Sequence, residues 1–117
     1  MNVLLIYPEF PKTYWSFDKA LKLLGRKVLL PPLGLITVAS LLPEDWDLKL
    51  VDCNIREVKP EEWAWAELVI TSAMMAQKRN LQFQIAMAKD HHLLVAVGGP
   101  FASSTPDAHE LKQADFL

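Results

Sequence analysis

Leu93-Leu94-Val95-Ala96-Val97 is an uninterrupted apolar run that stops at Gly98-Gly99-Pro100. A run this short, without alternation, suits a strand buried on both faces, as in a parallel sheet. Working outward, Leu68–Ser72 (LVITS) reads as a second such strand, and Asn2–Tyr7 (NVLLIY) as a third, closed by Pro8. Leu48–Asp52 (LKLVD) alternates weakly and also reads as a strand. Ala114–Leu117 reads as the opening of a fifth strand.

Helical signals fill the spaces between. Gln77–Lys89 places Leu81, Ile85 and Ala88 on one stripe. Pro60 opens a short helix whose first turn holds Glu61 and Glu62, where the dipole favours acids. Pro32–Leu42 reads as a helix stopped by Pro43, with Leu33, Ile36 and Leu41 expected to face the core. Ser16–Leu24, with Ser16 as N-cap and Gly25 past its end, predicts another helix, and Asp107–Lys112 a last short one behind Pro106. Strands that alternate with helices predict an α/β fold: a three-layer, doubly wound parallel sheet with right-handed crossovers.

The chain has 117 residues, 51% of them apolar and 22% charged, which is enough for one domain with a real core, residues 1–117. Twelve Lys and Arg are scattered among 14 Asp and Glu, for a net charge of −2, so a basic nucleic-acid footprint is lacking. The single cysteine, Cys53, excludes an internal disulfide and a structural zinc site, and points to a reducing cytoplasm. The uncharged runs Val28–Pro43 and His91–Pro106 are broken by Pro, Gly and hydroxyl residues and fall short of the ~20 residues of a membrane helix. No membrane partner is expected.

Ligands of doubly wound sheets bind at the carboxyl ends of the strands. Four sets of residues stand there. Gly98-Gly99-Pro100 makes either a plain tight turn or a close approach to a flat ligand. Thr71 and Ser72 offer hydroxyls to a ligand or to local backbone. Met74 and Met75 are either core or a soft, adaptable surface. Gly34, inside the first turn of its helix, costs about 1 kcal/mol against Ala and calls for close helix packing or close ligand approach. No G-x-G-x-x-G follows the first strand and no G-x-x-x-x-G-K-[ST] occurs, which counts against a nucleotide or flavin binder. A phosphoacceptor aspartate is missing from the third strand's end, which is Thr71-Ser72. His91-His92 and His109 read as surface residues and Cys53 as a small buried one. Trp63 and Trp65 cannot both face inward from one helix, so one of them is available to a partner.

The segments MNVLLIYPEFP, LLPPLGLITVASLLPEDWDLKLVD, LVITSAM and VAVGGPFAS together resemble the amino-terminal cobalamin-binding-type domain of radical S-adenosylmethionine enzymes. Within that group the chain is most similar to anaerobic magnesium-protoporphyrin IX monomethyl ester cyclase-like proteins of tetrapyrrole biosynthesis. The resemblance covers essentially the whole chain. It implies a flavodoxin-like sheet of order 2-1-3-4-5, truncated here at strand 5, with a corrinoid across the strand ends. It assigns Gly34, Ser72, Met74, Gly98 and Gly99 as cofactor-binding residues, none of them a catalytic acid or base. The family's D-x-H-x-x-G, aligned on Gly34, falls on Leu29 and Pro31, so a bound cobalamin would lack its lower histidine ligand. The C-x-x-x-C-x-x-C that holds a 4Fe-4S cluster beside S-adenosylmethionine needs three cysteines, so that cluster belongs to a radical barrel elsewhere in a parent enzyme, cyclase-like or methyltransferase-like. The missing histidine motivates the alternative of a cobalamin-free scaffold that docks on the same barrel. Without a complete fifth strand, LLVAV is expected to be a bare edge through which the chain self-associates.

Overall fold

The computed structural model describes residues 1–11 and 32–117; the Ser16–Leu24 helix, Leu29 and Pro31 lie outside them. Strands β1 (Asn2–Tyr7), β2 (Asp47–Asp52), β3 (Leu68–Ser72) and β4 (Leu94–Gly98) form an all-parallel sheet of order β2-β1-β3-β4. Helices α1 (Leu33–Leu41), α2 (Pro60–Trp65), α3 (Lys78–Asp90) and α4 (Gly99–Ser104) flank it. The fold is α/β and doubly wound, as expected. Ala96 pairs in parallel with Phe116, which puts the start of a fifth strand outside β4 and continues the order 2-1-3-4-5.

Period-two alternation divides the strand side chains between two faces. Leu4, Ile6, Val51, Val69, Val95 and Val97 share the first face with Trp63 of α2, Leu81, Ile85 and Ala88 of α3, and Phe101 and Ala102 of α4. Val3, Leu5 and Tyr7 share the second face with Leu35 of α1. Register carries Leu48 and Leu50, and Leu68, Ile70 and Leu94, onto this second face.

Three expectations are corrected. The buried residue of α1 is Leu35, at 1% exposure, while Leu33, Ile36 and Leu41 are exposed at 65%, 46% and 79%. The helix LGLITVASL is apolar on nearly every side, so its periodicity could not select the inward stripe. The helix after β4 begins at Gly99 rather than Asp107, because Pro100 occupies the first helical turn, where its missing N–H costs nothing. Asp107–Lys112 contracts to a 3-10 turn at His109–Leu111.

The edge of β4 is not bare. Asp115 and Phe116 N–H groups donate to Val95 O at 2.9 and 3.1 Å, and Val97 N donates to Phe116 O at 2.9 Å. The Asp115 carboxylate accepts from Val95 N at 2.8 Å and from Lys89 Nζ at 2.7 Å. Lys89 and Val95 hold that carboxyl below the usual range. Asp115 and Phe116 thus pair Val95 N, Val95 O and Val97 N, which an edge strand would otherwise present.

Candidate cofactor site

Strands β3 and β4 end level with each other, Ser72 opposite Gly98. The backbone then turns sharply. Gly99 has φ +88°, and a Cβ there would run into Ser72 Oγ and lie 3.1 Å from Ala73 N. Glycine is required at this position by both conformation and space. Phe101 N donates to Ala73 O at 3.0 Å, tying the start of α4 to the end of β3. Ser72, Gly98 and Gly99 therefore form one compact cluster.

Gly98 is different from its neighbour. Its backbone is extended, and among the described residues no atom beyond its chain neighbours lies within 4 Å of where a Cβ would be. The same holds for Gly34 in the first turn of α1. Among the described residues, Gly34 therefore has no close neighbour outside its own helix. Met74 and Met75, exposed at 43% and 52%, are surface and not core. Thr71 takes the local alternative: its Oγ1 donates to Ile6 O at 2.8 Å, sewing β3 to β1.

Three amides that the residue patterns did not single out grip the loop leaving β1. Gln77 Nε2 donates to Pro8 O at 2.6 Å, Asn80 Oδ1 accepts from Glu9 N at 2.8 Å, and Asn54 Oδ1 accepts from Phe10 N at 2.8 Å. Asn54 Nδ2 also reaches Pro8 O at 3.3 Å, and Asp52 Oδ1 steadies Asn54 at 2.9 Å. Gln77 is wholly buried and accepts from Met74 N at 2.8 Å, so it fixes two strand-end loops at once. Asn54 and Gln77 follow the carboxyl ends of β2 and β3, but an amide that bonds backbone leaves no sequence signature. Beside them Phe10, Met75, Lys78, Arg79, Asn80 and Phe83 line a cavity of about 550 Å³.

The titratable groups nearby are quiet. Burial, followed by Asp52 and Glu9, pushes the Cys53 thiol up to about 12, leaving it un-ionised and unreactive. Burial and Asp52 raise Tyr7. His91 and His92 close α3 ahead of β4, at the sheet's opposite end, and both are exposed. His91 stacks on Trp63 at 5.6 Å. His109 sits beside Glu110 at 3.3 Å. Trp65 packs its edge on the first-face core, with Lys49 Nζ 4.5 Å above its ring. Among the described residues no three His, Cys, Asp or Glu gather in a metal-binding group, and no helix is long and apolar enough to cross a membrane.

What these features define is a parallel α/β sheet whose carboxyl-end surface, among the described residues, presents the Ser72 hydroxyl, glycine backbone and Met74 between the ends of β3 and β4, with Asp52, Glu9, Lys78 and Arg79 around the end of β1. No protein-family profile and no solved structure match the chain. It is 59% identical over all its 117 residues to an uncharacterized methyltransferase of Synechocystis sp., covering 22% of that protein. It is 34% identical over 107 residues, 91% of the chain, to a hopanoid C-2 methylase of Rhodopseudomonas palustris, covering 20% of it. The chain spans about a fifth of the length of these curated relatives.

Proposed function

We propose that this chain is the corrinoid-binding domain of a cytoplasmic methyltransferase of the radical S-adenosylmethionine class, and that cobalamin lies across the carboxyl ends of β1, β3 and β4. The observation that supports this reading is the pair Gly98 and Gly34: among the described residues, apart from chain neighbours and the helix's own backbone, no atom lies within 4 Å of where their side chains would be. The fit is chemical as well as steric. Ser72 Oγ offers a hydrogen bond to a corrin amide or to the nucleotide tail, and Met74 an adaptable apolar flank. Gly98 lets the ligand meet bare backbone, and Gly34 keeps the start of α1 open toward the tail. Gly99 acts by shaping the turn that sets Ser72 and Gly98 side by side.

Bound there, the corrinoid would supply a methyl carrier; the chain's own residues hold and orient it. The histidine position of the family's D-x-H-x-x-G falls on Pro31, so this chain would hold the cofactor without a histidine there. The 4Fe-4S cluster, the S-adenosylmethionine and the barrel that binds them belong to further polypeptide, which is the domain's partner. Both relatives are named for methyl transfer, which favours a methyltransferase over a tetrapyrrole cyclase.

The test is to load the parent-length protein with hydroxocobalamin, remove the excess by gel filtration, and read the visible spectrum. Corrinoid bands should travel with the protein, and Gly98→Val or Ser72→Leu should remove them while leaving the circular dichroism intact. Elution of the unmodified protein without those bands would overturn the reading and leave the cobalamin-free docking scaffold in its place.

A further inference from the structure

The two edges of the sheet are finished differently. Asp115 and Phe116 close the outer side of β4, whereas among the described residues no strand pairs with the outer side of β2. Asp47 N donates to Met1 O and Cys53 N to Tyr7 O, so the odd-numbered residues of β2 turn their backbone groups toward β1. Leu48 and Leu50 therefore turn N–H and C=O away from the sheet. Register sets Leu48 beside Val3 and Lys49 beside Leu4, in the amino-terminal half of the sheet. The described chain stops at Pro11, just past Phe10, which Asn54 holds at the opposite, carboxyl end. Asp47 and Lys49 are exposed on the first face, and among the described residues neither takes part in an ion pair.

We propose that the outer edge of β2 pairs antiparallel with the same edge of a second copy of this chain, about a two-fold axis at Leu48. Charge selects both the occupant and the register. Pairings that join the outward-turned leucines of two copies set Leu48 against Leu48, Leu48 against Leu50, or Leu50 against Leu50. The second brings Lys49 against Lys49. The third brings Lys49 against Val51 and Leu48 against Asp52. The first sets Asp47 of each copy against Lys49 of the other. Those two pairs fall at non-hydrogen-bonded positions, where Cα atoms stand about 4.5 Å apart and side chains meet most closely. In the same register the Leu48 backbones bond each other and Leu50 N–H reaches Trp46 C=O. A lysine in an edge strand ordinarily discourages pairing. Here Asp47, two residues earlier on the same face, supplies its counter-charge across the axis, which a second copy provides by symmetry and an unrelated strand does not. The inference does not depend on the corrinoid reading, since this pairing lies away from the carboxyl ends of β3 and β4.

Sedimentation equilibrium of the 117-residue chain tests it, together with backbone amide exchange read residue by residue. The chain should form a dimer, and exchange at the Leu48 and Leu50 amides should slow as protein concentration rises. Lys49→Asp sets acid against acid and should weaken the dimer roughly tenfold or more. Asp47→Lys combined with Lys49→Asp puts opposite charges back in exchanged places and should recover the dimer to within about threefold. Circular dichroism of each variant checks that the fold is kept. A monomeric parent chain would overturn the proposal, and Leu48 and Leu50 amides protected at every concentration would then show that the chain covers this edge itself. A dimer that Lys49→Asp leaves intact, or that the charge exchange does not restore, would overturn it as well and put the contact on another surface.

Discussion

The face holding Leu4, Ile6, Val69 and Val95 lies under α2, α3 and α4, while the face holding Val3, Leu5, Ile70 and Leu94 carries α1. The strand side chains on the two faces are alike. What differs is the helices. Helix α3 buries Leu81, Ile85 and Ala88 and turns Arg79, Gln82 and Asp90 toward water. Helix α1 has no such polar back.

The largest effect that would sharpen this contrast is Leu4→Ala. Leu4 is fully buried on the first face, and its truncation should cost about 3–5 kcal/mol in urea unfolding. Leu50→Ala on the second face should change stability by no more than about 0.5 kcal/mol; equal losses at the two sites would break the comparison. Next, Gly99→Ala places a side chain at φ +88° against Ser72 and should cost roughly 1–3 kcal/mol, whereas Gly98→Ala, one residue earlier, should be almost silent. Thermal melts of the pair check both.

A somewhat smaller effect comes from the first-face helix α2. Arg56 bonds both carboxylate oxygens of Glu62, at 2.7 and 2.9 Å, and Lys59 N adds a third bond at 2.9 Å. These bonds hold the Glu62 carboxyl down to about 2 from its ordinary 4.5. A depressed acid contributes its stability fully above the unfolded value and loses it as pH falls. Stability should therefore decline between pH 4.5 and about 2, by roughly 1–2 kcal/mol once the solvent-open Arg56 is discounted for screening. In Glu62→Gln that acid limb should flatten; urea midpoints against pH decide it. The smallest effect is kinetic. Cys53, with its thiol raised to about 12, should resist alkylation at neutral pH and react at the rate of a free thiol only once urea opens the first face.

Much of the fold was legible because it rests on apolar runs. LLVAV, LVITS and NVLLIY have few other homes than a parallel sheet, and all three are strands within a residue of their expected bounds. Proline was the weak point. The sequence reads Pro100 as the close of a turn and Pro106 as the start of a helix, whereas Pro100 itself sits in the first turn of α4. A proline at a helix start and one past a helix end look the same in a sequence; the contact of Phe101 N with Ala73 O, which distinguishes them here, is made across the sheet. The same limit applies at the site. Ser72 and Gly98 could be picked out because strand ends are where ligands go, and the structure sets them opposite each other. Asn54, Gln77 and Asn80 could not, since their partners are carbonyl and amide groups that every residue carries.

Those three amides have a consequence for the conditions under which the strand-end surface keeps its shape. The Arg56–Glu62 pair answers to acid, and the Lys89–Asp115 pair at the sheet's edge answers to salt as well. The bonds from Asn54, Gln77 and Asn80 to Pro8, Glu9 and Phe10 join neutral groups that neither gain nor lose a proton. The grip of Gln77 and Asn80 on Pro8 and Glu9 is thus electrically silent and should hold from mild acid to high ionic strength, even where the periphery has begun to loosen, whereas Asn54 leans on the Asp52 carboxylate.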